Sequence, residues 1–164
     1  MLLNTEMHAA IGSLEALQKA AGEALEGIVH TFWDQVSFEN KARKSLPQDD
    51  RSANPDHNKP TKLSLQIKRR DNHVYVNWVT QDSRYKKRTQ GDRNQPYKTY
   101  ITKGAKAEGY SDASLIKHMS GWERELVLDT EARLKHARSV MKGVTAMISN
   151  LKKLQEQGSN LKID

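Results

Sequence analysis

LSLQIKRRDNHVYVNWV (residues 63–79) consists of two runs in which apolar and polar side chains alternate. A period of two is typical of β-strands that bury one face. The Asp-Asn pair at 71–72 favours a two-residue turn, which would place Arg70 opposite His73. The sequence therefore predicts an antiparallel hairpin.

In the predicted register, residues of one strand lie opposite residues of similar polarity on the other strand. Ile67 would lie opposite Val76 on one side, and Lys68 would lie opposite Tyr75 on the other. One face is therefore apolar and the other is polar. We expect a third short strand at residues 97–102, because two strands alone would be marginally stable.

Long helices are predicted on both sides of this sheet. Apolar residues recur at steps of three and four through residues 7–36, which is the spacing of one helix face. A heptad-like stripe runs through residues 127–151 and is widened by Val140, Met147 and Leu154. The wide stripe favours packing on the N-terminal helix and also on a second copy of the chain, so we expect a homodimer with a coiled-coil contact.

The expected architecture is α+β within a single domain of residues 1–164. A long N-terminal helix occupies residues 1–46, and the polar, proline-rich segment 47–61 is interpreted as a flexible linker. A small antiparallel sheet of about three strands, with a basic loop, follows at residues 62–106. The C-terminal helices, the last one long, occupy residues 111–155.

Composition narrows the range of functions. The 164 residues include 27 basic and 20 acidic side chains, 36% of residues are hydrophobic, and cysteine is absent. The low apolar content argues against a deep apolar substrate pocket, and the lack of cysteine excludes disulfides and thiolate metal sites. No apolar run approaches the roughly 20 residues that span a bilayer. Because no signal-peptide pattern is visible either, we expect a cytoplasmic protein without membrane contact.

Positive charge is concentrated in the middle of the chain. Residues 84–106 contain eight basic side chains and a single acidic one, Asp92, whereas a solvated surface normally mixes both signs. Lysine and arginine release the counterions of DNA phosphates, so nucleic acid is the simplest partner. An acidic protein partner and a purely solubilising role are the alternatives.

The predicted DNA-binding residues are the basic side chains of the hairpin tip, the loop and the third strand, with one tyrosine. They are Lys68, Arg69, Arg70, Arg84, Tyr85, Lys86, Lys87, Arg88, Arg93, Lys98, Lys103 and Lys106. A hairpin can enter the major groove of double-stranded DNA with its polar face toward the base edges. Tyr75, Asn77 and Tyr100 on the polar face are weaker candidates, because aromatic side chains in strands more often serve packing.

No catalytic residue, cofactor or metal site is predicted. The six histidines are scattered, and neither H-E-x-x-H nor a glycine-rich phosphate loop occurs. A metal-dependent nuclease would need two carboxylates near a strand lysine. The nearest match, Asp56 with Gln66 and Lys68, has glutamine in place of the second carboxylate, so a nuclease is only the third option.

The sequence also contains, in order, VYVNWV at 74–79, the basic loop, YKTYITKG at 97–104 and GWERE at 121–125. Over about residues 62–150 this order resembles the MobI-like conjugative transfer proteins of integrative conjugative elements and related plasmids. The resemblance implies a bacterial cytoplasmic accessory factor that acts at the origin of transfer with a separate relaxase. It implies DNA binding and help in assembling the nicking complex, and it implies no catalytic residue.

The functional prediction is therefore a non-catalytic accessory factor that binds duplex DNA at the origin of transfer of a mobile genetic element. Its expected partners are double-stranded DNA, a relaxase or other transfer proteins, and a second copy of itself. The alternative is a helical adaptor whose basic loop docks an acidic protein.

Overall fold

Two long helices and a three-stranded antiparallel sheet form the framework in residues 2–71, 73–82, 97–104 and 107–160, which the computed structural model describes. In chain order the elements are α1 (Leu2–Lys44), α2 (Gln48–Ala53), α3 (Pro55–Asn58), β1 (Leu63–Arg70), β2 (His73–Asp82), β3 (Tyr97–Tyr100), α4 (Asp112–Ile116), a 3₁₀ turn (Gly121–Glu123) and α5 (Arg124–Asn160). The prediction of an α+β fold with a helix, a small sheet and a second long helix is confirmed.

The hairpin of β1 and β2 has the predicted register. Arg70 pairs with His73, and Ile67 pairs with Val76. Asp71 in the turn has a φ of 54°, in the left-handed region that aspartate adopts more readily than most residues. The alternation of side chains and the chemistry of the turn therefore select the same pairing.

The third strand extends the sheet along only part of β2. β3 pairs with residues 79–82, so the strand order is β1-β2-β3. Ile101 adds one further backbone bond to the Trp78 carbonyl, at 3.0 Å. The first half of β2 is therefore paired with a strand on one edge only, the edge next to β1. On its other edge, the Val76 carbonyl accepts a hydrogen bond from the Arg138 side chain of α5.

The core lies between the apolar face of the sheet and the two long helices. Trp78 is fully buried, and its ring meets the Phe32 ring of α1 edge-on, with 5.0 Å between the ring centroids. Leu25 of α1 and Leu134 of α5 complete the same cluster. Burial of these large side chains supplies the main driving force for the fold.

The apolar stripe of α5 is divided between two environments. Val144 and Ile148 are buried, whereas Met147 and Leu154 are each 56% exposed. α1 packs along α5, and the Gln18 amide donates to the Thr145 hydroxyl at 2.9 Å. The inner part of the stripe is therefore used within the chain, and its outer part faces solvent.

Residues 47–61, interpreted from composition as a linker, contain the short helices α2 and α3. The Thr61 amide donates to the Asn40 side chain at 2.8 Å, and the Trp122 indole donates to the Lys59 carbonyl at 3.1 Å. These bonds connect the segment to α1 and to the 3₁₀ turn. Its flexibility stays a prediction.

Two serines begin the helices that follow the sheet. Ser111, the N-cap of α4, accepts the Ser114 amide at 3.3 Å. Ser120 forms a capping box with Glu123, whose carboxylate accepts the Ser120 amide at 2.5 Å. Glu123 is fully buried, and burial raises the pKa of its carboxyl above the usual value.

A buried carboxylate joins α5 to the sheet. Glu131 accepts hydrogen bonds from the Trp78 indole and from the Tyr110 amide, both at 2.7 Å. The Arg138 guanidinium donates to the same carboxylate at 2.8 Å. The Glu131 and Arg138 side chains are only 5% and 11% exposed. Glu131 and Arg138 therefore form a buried ion pair that is supported by several hydrogen bonds.

Arg138 also connects α5 to two backbone segments. Its guanidinium donates to the Val76 carbonyl of β2 at 3.2 Å and to the Glu108 carbonyl at 3.3 Å. A buried charge needs both a counter-charge and hydrogen-bond partners, and Arg138 has both. The pair therefore fixes β2 and the segment before α4 against α5.

Removing the Glu131 carboxylate should strongly destabilise the fold. Glu131→Ala leaves Arg138 buried without its counter-charge, and such a loss costs about 3–5 kcal/mol in the free energy of unfolding. Glu125→Ala, at an exposed position of the same helix, is the control and should change that free energy by less than about 0.5 kcal/mol. Urea unfolding followed by tryptophan fluorescence measures both variants. Equal midpoints would contradict the role given to the pair.

Candidate nucleic-acid interface

The polar face of the sheet points away from the two long helices, because the alternate residues on the other face form the core. We call it the outer face. Its described positions are Ser64, Gln66, Lys68, Arg70, His73, Tyr75, Asn77, Val79, Lys98 and Tyr100. None of these positions carries a carboxylate. The outer face is therefore cationic and aromatic.

Tyr100 crosses the outer face from β3 to β1. Its hydroxyl donates to the Gln66 amide oxygen, and the Lys68 ammonium lies 4.4 Å from the centroid of its ring. The side chain remains 44% exposed. A lysine over a tyrosine ring is a cation–π contact, so the ring has a fixed place beside a positive charge.

A second tyrosine is exposed toward the hairpin turn. Tyr75 is 49% exposed, and the centroid of its ring is 6.0 Å from that of His73. Lys68 is its partner on β1, and Arg70 is exposed two residues further along that strand. The outer face therefore presents two half-exposed rings next to lysine and arginine side chains.

Arg69 lies on the opposite face from Arg70, although both belong to the predicted DNA-binding tip. Its guanidinium forms two bonds with the Glu26 carboxylate of α1, at 2.6 and 2.7 Å. These bonds lower the pKa of the Glu26 carboxyl and raise that of Arg69. Arg69 is therefore paired with α1 although its side chain is 67% exposed, and Arg70 is exposed on the outer face.

Lys103 lies in a groove between β2 and α5. The groove has a volume of about 760 Å³ and is also lined by Val74, Arg138 and Lys142. Burial and the nearby Arg138 charge lower the pKa of the Lys103 ammonium. Lys103 therefore belongs to this groove, whereas Lys68, Arg70 and Lys98 do not line it.

The hairpin tip and the basic loop are attached to opposite ends of the sheet. Asp82 and Tyr97, which flank residues 83–96, pair with each other at the end of β2 remote from the turn. At about 3.3 Å per residue, the ten residues of β2 separate the two ends by about 30 Å. The remaining predicted site residues, Arg84, Tyr85, Lys86, Lys87, Arg88, Arg93 and Lys106, lie outside the described residues.

The structure describes residues 2–71, 73–82, 97–104 and 107–160. Within them, no group of three or more histidine, aspartate or glutamate side chains is placed to hold a metal ion. None of their helices is long and apolar enough to cross a membrane. Of the residues considered for a nuclease, Gln66 is bonded to Tyr100, whereas Asp56 lies against Gly121.

The two tyrosines of the outer face are weaker candidates in the sequence, and their role in binding stays a prediction. The alternation that assigned Lys68 to the polar face also assigns Tyr75 to it, and the third strand places Tyr100 beside them. The missing signal was the contact between Lys68 and the Tyr100 ring, which joins residues 32 positions apart in the sequence.

Comparison with known proteins gives one family match. A family model described as MobI protein matches residues 22–152, a range that contains most of α1, the whole sheet and most of α5. No curated protein and no solved structure matches the chain. The match covers most of the sequence and all described positions of the outer face.

Because Arg69 and Arg70 lie on opposite faces, replacing each of them should affect the pKa of the Glu26 carboxyl in α1 differently. Arg69→Ala should raise the pKa of Glu26 toward its usual value of 4.5, because the two bonds and the positive charge that stabilise the ionised form are lost. Arg70→Ala, which removes the same charge one residue away, should leave that pKa unchanged. Carboxyl-carbon NMR titration measures both variants, and equal shifts would contradict the assignment of the two arginines to opposite faces.

Proposed function

This chain belongs to the MobI family, and from this premise we propose that it binds duplex DNA at an origin of transfer without catalysing a reaction. Family membership implies an accessory protein of mobilisation and conjugative transfer. The proposal adds that the protein assists a separate relaxase, in the cytoplasm, by holding DNA while the nicking complex assembles.

The observation that carries this proposal is the outer face, where no described position is acidic. Lys68, Arg70 and Lys98 lie on one side of the sheet, and the two long helices cover the other side. DNA phosphates attract such a surface, because each lysine or arginine contact releases condensed counterions. The seven predicted residues outside the described ranges would add contacts to this surface.

Within the proposed complex the basic side chains have different roles. Arg70 is exposed at the hairpin tip, where a guanidinium can bond a guanine edge in the major groove. Lys68 and Lys98 would contact phosphates, which orient the protein on DNA but do not select a sequence. Arg69 would position the tip through Glu26. Lys103 would contribute least, because it lies in the groove.

The second candidate is a protein adaptor, and the exposed stripe of α5 favours it. Val140, Met147 and Leu154 are spaced by seven residues and are 38–56% exposed, so they offer an apolar line to another protein. Binding-site selection on random duplexes separates the two candidates. An enriched motif supports a DNA reader, and the absence of any enrichment together with binding to an acidic protein supports an adaptor.

We also propose that the outer stripe of α5 is the contact between two copies of the chain. Met141 and Ile148 are buried within one copy, so they are unsuitable for testing a dimer. A dimer would present two hairpins to DNA, with half-sites about 10 base pairs apart or a multiple of that.

Removing the charges of the outer face should weaken duplex binding. Changing Lys68, Arg70 and Lys98 to Ala should also flatten the dependence of affinity on salt, by about 0.9 in the log–log slope for each lost phosphate contact. The control changes three exposed lysines away from the sheet, Lys41, Lys44 and Lys117, to Ala and loses the same charge. Fluorescence anisotropy with labelled duplex at several salt concentrations measures both. Equal losses would show that only total charge matters.

Charges placed on the outer stripe should separate the proposed dimer without unfolding it. Met147→Lys with Leu154→Lys introduces two cations where the second copy would pack, and an unpaired buried charge is costly. The control, Ala132→Lys with Gln157→Lys, adds the same charges at other exposed positions of α5. Sedimentation equilibrium at micromolar concentration should give a dimer for the unmodified chain and the control. A monomeric unmodified chain would overturn the proposal.

A further inference from the structure

We propose that the outer face binds an unpaired DNA strand, with bases stacked on Tyr75 and Tyr100. This inference rests on the proposed function, because it specifies the form of DNA that the same surface accepts. Duplex DNA would still be held by the charged ends of the sheet, and the region between them would hold a locally unpaired stretch.

The exposure of the two tyrosines is the first argument for an unpaired strand. Tyr75 and Tyr100 are 49% and 44% exposed on the outer face of the sheet. Bases within a duplex are already stacked on each other, whereas the bases of a single strand offer free π-faces. Stacking on an aromatic side chain increases affinity roughly 5- to 150-fold per base.

The arrangement of rings and cations is the second argument. Tyr100 pairs with Val79, which is four residues from Tyr75 along β2, so the two tyrosines are about 13 Å apart at the backbone. Lys68 lies opposite Tyr75, and its ammonium reaches the Tyr100 ring. A single DNA strand that crosses the outer face would therefore contact the Tyr75 ring, the Lys68 ammonium and the Tyr100 ring in turn.

The contact between Lys68 and Tyr100 does not prevent stacking. A cation–π contact at an exposed site is weaker than the stacking of a base on the same ring. A base can therefore displace the ammonium, and the flexible lysine side chain can then bind a neighbouring phosphate. In the free protein the cation covers a ring that would otherwise be exposed to solvent.

The ends of the outer face extend this binding track. Arg70 is exposed near the turn, and Lys98 is exposed near the other end of the sheet. The described positions between them carry no carboxylate that would repel the backbone. Because the buried core holds the sheet in place, little ordering is needed on binding, which favours affinity.

The test compares leucine and phenylalanine variants of both tyrosines. The probes are a fluorescein-labelled single-stranded oligothymidylate and a labelled duplex of the same length, measured by anisotropy with the full chain. Tyr75→Leu with Tyr100→Leu should weaken oligothymidylate binding by roughly fivefold or more for each ring lost. Tyr75→Phe with Tyr100→Phe retains both rings and should bind nearly as well as the unmodified chain.

Single variants keep the inference testable if the double leucine variant does not fold. Tyr75 is outside the buried core cluster, so Tyr75→Leu and Tyr75→Phe should both retain the native circular dichroism and unfolding midpoint. Weaker oligothymidylate binding by Tyr75→Leu than by Tyr75→Phe supports the inference. Equal binding by these two variants overturns it.

The same titrations distinguish this inference from the proposed function. Binding of duplex without any binding of oligothymidylate would overturn the single-strand role and leave the DNA-binding function in place. Absence of binding to both probes would overturn both. Oligothymidylate binding that responds only to the lysine and arginine variants would show that charge acts alone, and would also overturn stacking.

Discussion

The buried bond network between Glu131 and Arg138 determines how the sheet sits on the helices. The carboxylate binds the Trp78 indole, and the guanidinium binds the Val76 carbonyl, so one ion pair contacts both a side chain and the backbone of β2. Apolar packing alone would allow the sheet to slide over α1 and α5, because it is not directional. Hydrogen bonds to a buried charge are directional, and they leave the polar side of the sheet facing outward.

Because side chains alternate along a β-strand, neighbouring residues lie on opposite faces of the sheet and make different contacts. Arg69 and Arg70 are adjacent, yet one binds Glu26 on the helix side and the other remains on the outer face. Similarly, Val76 and Trp78 are buried on the inner face of the sheet, whereas Tyr75, the neighbour of Val76, is exposed on the outer face. A slip of one residue in the register would bury the cations and expose the core, so the register fixes both the core and the cationic face.

The hairpin could be predicted from the sequence because every local signal agreed there. Alternation and the Asp-Asn turn specify the register. The Glu131–Arg138 pair could not be predicted in this way, because charged residues seven apart on an amphipathic helix usually face solvent. Tyr100 could be assigned to the polar face, but its contacts with Gln66 and Lys68 could not be predicted because they depend on tertiary structure. For the candidate site, therefore, sequence identified the face but not the partners within it.

The outer stripe of α5 consists of residues that the core does not use. α5 contributes Leu134 and Met141 to the core, whereas its Met147 and Leu154 are exposed. In the proposed function, DNA contacts the outer face and a second copy of the chain contacts the outer stripe of α5. The proposal therefore uses different residues for the two contacts. Neither the outer face nor the outer stripe of α5 needs residues of the hydrophobic core for its contacts, so a small core is sufficient to present both.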